Sequence, residues 1–369
     1  MTEGVERRVV AESEEVAFLT AFNAKADRQR IPVSGSIELT RRCNLSCIHC
    51  YVGGDARGGA PEMDTGKVLS IIDDICEAGC LYLLITGGEP LLRKDFPEIY
   101  RHAKSCGLIV TVFTNGTLVD EGTLELFEDL PPYLVEISLY GASAATYERI
   151  TGVAGSFERC LRGVRGLLAR KVRVGLKTIL MTENSAEFHA IRKIADDLGV
   201  KFRFDAEIFP RLDGNTAPLG LRVPPQEAIE KEFCQDERRL QWKRYLEKTL
   251  GTPASDRLYL CGAGITGFHV DAGGILQPCL MAHGITYDLV KGSFRTGWRD
   301  VIGGIRELKA EGDAECNRCE KRHLCGYCPA FFALENGSEH VRSEYVCALG
   351  GRRYRMVEGE SQAGSRYGE

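Results

Sequence analysis

The sequence predicts an α/β protein: a parallel sheet with helical crossovers, followed by a small cysteine-rich α+β segment. Three observations predict it. Apolar runs rich in β-branched residues alternate with helical patterns from residue 35 to about 210. Gly79, Gly107 and Gly199 stand where helices would end on a left-handed residue. Of 15 cysteines, three crowd between Cys43 and Cys50 and seven lie between Cys261 and Cys347, where the composition also changes.

Taken in order, residues 1–34 are polar with one short apolar patch and read as an N-terminal extension with one helix. Strands are expected at 36–40, 81–86, 108–114, 133–140, 172–181 and 200–208. Helices are expected near 65–79, 95–106, 121–129, 156–170 and 185–198. Strand, helix, strand repeated this way argues for parallel pairing. Six strands are enough for an open barrel rather than a closed eight-stranded one. In parallel barrels, chemistry gathers at the C-terminal ends of the strands. Residues 211–255 read as a link containing Pro and Gly, then a charged helix near 225–249. Over 256–369 the segments are short; FHVDAGGILQPC reads as a hairpin turning on AGG, and helices are expected at 299–309 and 343–356.

The 369 residues suggest two or three domains, and a hydrophobic content of 44% supports a sizeable core. The net charge of −5 gives no reason to expect a nucleic-acid partner. No apolar run approaches the ~18 residues that span a bilayer, so no membrane partner is expected. The acidic N-terminus lacks an apolar core and is not a secretory signal, so a cytoplasmic location is expected. Structural disulfides are disfavoured in that compartment, which turns the cysteines toward metal.

Cys43, Cys47 and Cys50 have the spacing C-x3-C-x2-C directly after the first expected strand. Three close thiolates suit a [4Fe–4S] cluster, which takes four ligands, and leave one iron open. Zinc held by three Cys and a distant His is the other reading, with His49 badly placed to chelate beside both neighbours.

This stretch resembles the radical S-adenosylmethionine (SAM) superfamily. RRCNLSCIHCY carries that family's cysteine spacing with the aromatic Tyr51 after the last Cys. Gly87, Gly88, Glu89 and Pro90, at the end of the second strand, are similar to its GGEP motif, whose backbone and acid hold the SAM amino group. Taken alone, Gly-Gly-Glu-Pro is equally a strand-to-helix turn. Asn115 lies in a TNGT at the end of the third strand, and Ser138 opens an SLYG at the end of the fourth, where a ribose contact is implied. Lys177 and Arg149 fall in regions that supply carboxylate contacts to SAM, or are surface and barrel-lining charges. The resemblance covers about residues 35–210 and implies a partial (β/α)6 TIM-like barrel. It also implies the chemistry: an electron from the reduced cluster, delivered by a donor such as flavodoxin or ferredoxin, cleaves SAM. The resulting 5′-deoxyadenosyl radical then abstracts a substrate hydrogen.

The C-terminal block reads Cys261-x12-Gly274-x4-Cys279, then Cys316-x2-Cys319-x5-Cys325-x2-Cys328, then Cys347. Two Cys-x2-Cys pairs alone would suit a zinc ribbon, but seven thiols exceed one four-ligand site. The block resembles the SPASM domain of radical SAM maturases, which holds auxiliary [4Fe–4S] clusters; it departs at Gly326-Tyr327, where the family usually has three residues. The resemblance assigns Cys316, Cys319, Cys325 and Cys347 to an outer cluster and Cys261, Cys279 and Cys328 to an inner one. The inner fourth ligand is left to a side chain such as His283, to water or to a substrate thiolate.

Cys76 and Cys80 share a helix face and read, with Cys106 and Cys160, as core packing; Cys234 is unassigned. His269 reads as a packing or hydrogen-bonding residue and Asp271 as a turn residue. Asp205 and Glu207 would face the barrel mouth by alternation, with Arg203 neutralising them if they do not bind substrate.

The leading expectation is a peptide or protein maturase that forms a thioether or carbon–carbon crosslink. The 34 residues ahead of the barrel are too few for a winged-helix leader-binding domain, so leader recognition is expected to need a separate leader-binding protein or another surface. The alternatives are an anaerobic sulfatase-type formylglycine maturase, a haem-precursor decarboxylase and, outside enzymes, a zinc-stabilised binding protein.

Overall fold

Alternation along the first strand sets the layers. Ile37 and Leu39 are fully buried against the helices, while Ser36 and Glu38 turn the other way, into the concave face. The computed structural model describes residues 12–53, 62–234, 236–253, 255–311 and 315–363; the first 11 residues of the expected extension lie outside the described residues.

The six expected strands form as β1 Ser34–Glu38, β2 Tyr82–Thr86, β3 Ile109–Thr114, β4 Leu134–Ser138, β5 Val174–Ile179 and β6 Lys201–Asp205. Helix α1 (Glu12–Gln29) precedes them; α2 (Thr65–Glu77), α3 (Phe96–Ser105), α4 (Glu121–Asp129), α5 (Ala144–Thr151), α6 (Ser156–Ala169) and α7 (Phe188–Asp197) are the crossovers. Each successive strand pair is parallel, β1 to β2 running from Ser34↔Tyr82 to Glu38↔Thr86. Aspartates open two of the helices: Asp64 accepts from Lys67 N at 2.8 Å and Asp120 from Thr123 N at 2.9 Å. Helix α5 was not expected. Ser143 caps it through Thr146 N, and the small residues around it in the sequence hide its single apolar face.

Past β6 come α8 (Pro225–Glu232) and α9 (Asp236–Thr249), where one charged helix was expected. The hairpin forms as β7 (Gly267–Val270) and β8 (Ile275–Gln277), followed by β9 (Tyr287–Asp288). It does not stand apart from the barrel. The sheet order is β6-β5-β4-β3-β2-β1-β7-β8-β9, and β7 pairs parallel with β1 from Ser34↔Gly267 to Ile37↔Val270. The strand covers an edge that would otherwise present unpaired backbone groups. Gly35 makes room for it: a Cβ there would lie 2.0 Å from Cζ of Phe268.

The chain continues through the single-turn α10 (Phe294–Thr296), α11 (Glu315–Arg318), α12 (Pro329–Asn336) and α13 (Glu344–Ala363), the last answering the helix expected at 343–356. The helix expected at 299–309 is instead a π turn, Gly297–Val301, and a 3-10 segment, Ile302–Glu307. Gly303 and Gly304 favour helix poorly, and the Arg30 guanidinium occupies the space beside Gly303. Arg30 donates to Trp298 O at 3.1 Å and accepts from Trp298 Nε1 at 2.7 Å, tying the end of α1 to this segment. Among the described residues, no helix is long and apolar enough to cross a membrane.

Candidate functional site

The loop after β1 carries Cys43, Cys47 and Cys50 at the C-terminal mouth of the sheet. Three neighbours hold it. Ser46 N and Ile48 N donate to Thr151 O and Ile150 O at the end of α5, at 2.8 and 3.0 Å. Gly88 N and Glu89 N donate to Thr40 O and Arg42 O, at 2.7 and 2.9 Å. Asn44 and Asn115 are joined side chain to side chain at 2.9 Å, and Asn115 Nδ2 approaches Cys43 Sγ at 3.8 Å. Leu45 N points at the same sulfur from 3.4 Å.

The three thiols interact electrostatically with one another. Burial raises Cys43 to about 11 and Cys47 higher still, so both ionise only when metal displaces the proton. His49 does not join them. Its ring stands edge-on to Tyr140 at 4.4 Å, and burial lowers it to about 4, which keeps it neutral.

Gly87 and Gly88 are there because backbone approaches backbone. Gly87 has φ +147°, and a Cβ on it would lie 2.5 Å from Thr40 O; a Cβ on Gly88 would lie 2.3 Å from Arg42 O. Pro90 opens the short 3-10 turn that follows. The Glu89 side chain is fully buried. Its carboxylate accepts from Leu91 N at 3.1 Å, Thr114 Oγ1 at 2.8 Å and Asn115 N at 2.7 Å, so it fastens the ends of β2 and β3 together. Burial raises it to about 7 against those donors.

The remaining expected contacts scatter. Tyr51 has a buried hydroxyl, its ionisation pushed up by burial and by Glu38, and its ring lies 6.3 Å from Phe209. Ser138 sits opposite Lys177 in the β4–β5 register. Lys177 Nζ lies 3.2 Å above the Phe113 ring and 3.5 Å from Glu136; burial lowers it to about 7. Arg203 also clamps Glu136, and of the two mouth carboxylates it interacts electrostatically with Asp205. Arg149 is half exposed and bound to Glu183 at 2.8 Å. Asp205 and Glu207 line a cavity of about 500 Å³ with Trp242, Tyr245, His323 and Arg353. That cavity is walled by α8, α9 and α13 and is separate from the polar interior around Glu38. Burial raises Glu207 there.

That interior was missed by the sequence reading. Ser36 Oγ meets His269 Nδ1 at 2.8 Å, and His269 Nε2 faces Glu38 Oε1 at 3.9 Å. Both facing atoms are buried without a hydrogen-bond partner among the described residues. The available signal was a carboxylate inside the first strand, in phase with serine rather than with Ile37 and Leu39. Asp271 does serve the turn, accepting from Gly273 N and Ile275 N at 2.9 Å, and it also pairs with Arg41 at 2.8 Å.

Burial, helped by Asp271, raises the Glu38 carboxyl from 4.5 to about 7. The native chain therefore keeps a proton that the unfolded chain releases between those values. Stability is expected to fall as pH rises through that window, by about 3 kcal/mol from this group alone. Thermal melts of the wild type and Glu38→Gln between pH 5 and 8 measure this; parallel pH profiles would refute it.

In the C-terminal block, Cys325 interacts electrostatically with Cys316, Cys319 and Cys347, whereas Cys328 interacts with Cys279 and Cys261. Gly326, at φ +69°, reverses the chain between the two sets. Tyr327 stands between them, its hydroxyl donating to Asn317 Oδ1 at 2.7 Å. Gly350 packs on Cys325, where a Cβ would lie 2.2 Å from the cysteine Cβ. His283 turns away from the inner trio toward Gln277, at 3.2 Å. Tyr259 faces that trio, with its hydroxyl on Glu339 at 2.6 Å. Cys80 and Cys160 are buried in the core as expected, whereas Cys76 and Cys106 lie half-buried at its edge.

A family model for the radical SAM superfamily matches residues 37–195. An AdoMet-dependent heme synthase of Oleidesulfovibrio alaskensis is 27% identical over 343 residues, covering 86% of this chain and 87% of its own. A PqqA peptide cyclase of Rhodopseudomonas palustris is 25% identical over 374 residues, covering 94% and 96%. Among solved structures, Streptococcus suis SuiB bound to precursor peptide SuiA superposes with a TM-score of 0.70 at 16% identity, over 94% of this chain and 83% of that one. With a cysteine trio at the mouth of a TIM-like parallel sheet, this chain carries a radical SAM domain over residues 37–195 and is an enzyme.

Proposed function

We propose that the chain modifies a peptide or protein by hydrogen abstraction, forming a thioether or carbon–carbon crosslink. Cys43, Cys47 and Cys50 would hold the [4Fe–4S] cluster, with SAM beside it against Gly87–Pro90, Tyr51, Asn115 and Ser138. When bound, the pair supplies reductive hydrogen-atom abstraction from an unactivated carbon. The chain's own residues do the rest. Asn115 and Leu45 direct N–H groups at Cys43 Sγ, which stabilises a thiolate ligand. Lys177, whose charge burial disfavours, and Arg149 would meet the SAM carboxylate, each by loosening its present tie to Glu136 or Glu183. Residues 256–369 would form a SPASM-like domain with two auxiliary clusters, the outer on Cys316, Cys319, Cys325 and Cys347 and the inner on Cys261, Cys279 and Cys328.

A PqqA peptide cyclase that aligns with 94% of this chain supports the peptide reading, while the heme synthase relative keeps the porphyrin in the test. Anaerobically reconstituted enzyme with SAM and reductant would be offered a small Cys-rich peptide, a sulfatase-derived peptide and an iron coproporphyrin. Deoxyadenosine release stimulated by the first, with loss of two hydrogens from that peptide by mass, is expected. Turnover of the porphyrin alone would overturn the proposal.

A further inference from the structure

The barrel carries a second metal-ligand constellation, far along the chain from every cysteine block. Asp73 lies on α2, His102 lies in the last turn of α3, and Cys106 caps that helix. His102 and Cys106 are four residues apart and so share a face. Among the described residues, these three offer the one group of ligand atoms that all lie within 4.8 Å of one another.

The distances suit a small ion. Asp73 Oδ1 is 2.7 Å from His102 Nε2, and Cys106 Sγ is 3.6 Å from the first and 3.7 Å from the second. With bonds of about 2.0 Å to oxygen and nitrogen and about 2.3 Å to sulfur, tetrahedral zinc places sulfur about 3.5 Å from each lighter ligand. The lighter pair would then be about 3.3 Å apart. Two of the three separations already match. The third is short because a proton now sits between Asp73 and His102, where the metal would replace it. Cys76 is engaged with the Cys106 carbonyl at 3.0 Å, which leaves the fourth position to water. Asp73 is 55% exposed, so an ion has a path in.

We propose that Asp73, His102 and Cys106 form a site for a divalent transition-metal ion, zinc by ligand chemistry, independent of the iron–sulfur centres. Its place in the fold indicates its use. Helices α2 and α3 end just before β2 and β3 begin, at the face of the sheet opposite the Cys43 loop. In parallel barrels that face serves stability rather than turnover. The ion would staple α2 to α3.

The test uses iron-replete holoenzyme, equilibrated anaerobically with micromolar zinc and then gel filtered. About one zinc per chain is expected beyond the iron, with a melting temperature higher than in zinc-free protein. His102→Gln and Cys106→Ser should each lower zinc occupancy tenfold or more and abolish the thermal gain, with iron content unchanged. Zinc-edge X-ray absorption should show one sulfur and otherwise oxygen or nitrogen. Three results would each overturn the site: zinc retained equally by both variants, an all-sulfur shell, or a Cys76–Cys106 disulfide in anaerobic protein that takes up no zinc. None of them touches the peptide reading, which is measured by turnover.

Discussion

Replacing Cys43, Cys47 and Cys50 together by alanine is expected to remove about four irons per chain and to lower SAM cleavage at least ~1000-fold. The C-terminal block lies elsewhere: its Cys261, Cys316, Cys325 and Cys328 interact electrostatically with Tyr327 instead. The substitution should be tolerated by the fold. The loop is tied down through its backbone to Thr151, Ile150, Gly88 and Glu89, and none of those bonds uses a cysteine side chain. Iron analysis, circular dichroism and deoxyadenosine assay of the triple variant separate the two effects. Unchanged iron with unchanged cleavage would remove the basis of the functional reading.

Gly88→Ala is expected to be nearly as damaging by a different route. Its Cβ would meet Arg42 O at 2.3 Å, Arg41 O at 2.6 Å and Arg42 C at 2.7 Å, all backbone and one residue short of Cys43. No side chain can swing aside to relieve that contact, so the cysteine loop must move. A cost of about 2–4 kcal/mol in stability is expected, together with loss of iron from the N-terminal trio. Gly66→Ala is the control: on α2 its added methyl meets only Asp64 Oδ1, at an ordinary 3.5 Å. Melting temperature and iron count for the two variants should diverge sharply; similar behaviour would mean that the close approach is unimportant.

The order of strands and crossovers was legible because β-branched runs and helical patterns differ in period, and glycines at 79, 107 and 199 took the left-handed turns expected of them. The cysteine blocks were legible because close spacing along the chain is itself information about a ligand set. The interior around Glu38 and His269 was not. A polar residue in phase with the concave face looks like a surface residue until its partner strand is known, and that partner is 233 residues away. Likewise the pairing of β7 with β1 leaves no local mark, since strand length and turn chemistry describe a hairpin equally well whether it joins a sheet or stands alone. The charged helix divides after Glu232, and both halves pack against α13, which composition does not report. Cys76 and Cys106 were read as small apolar residues, a choice made without sight of Asp73 and His102 across the helix seam.

The parallel pairing of β1 with β7 has a consequence for synthesis. A ribosome that has just completed β1 must add more than two hundred further residues before the strand that covers its free edge exists, roughly ten to fifty seconds at ordinary elongation rates. Throughout that interval the nascent barrel offers an open ladder to any passing strand, its own copies included. Slow late closure of this kind makes yield sensitive to temperature and chaperone supply, and a fragment ending before the hairpin would carry that exposed border permanently.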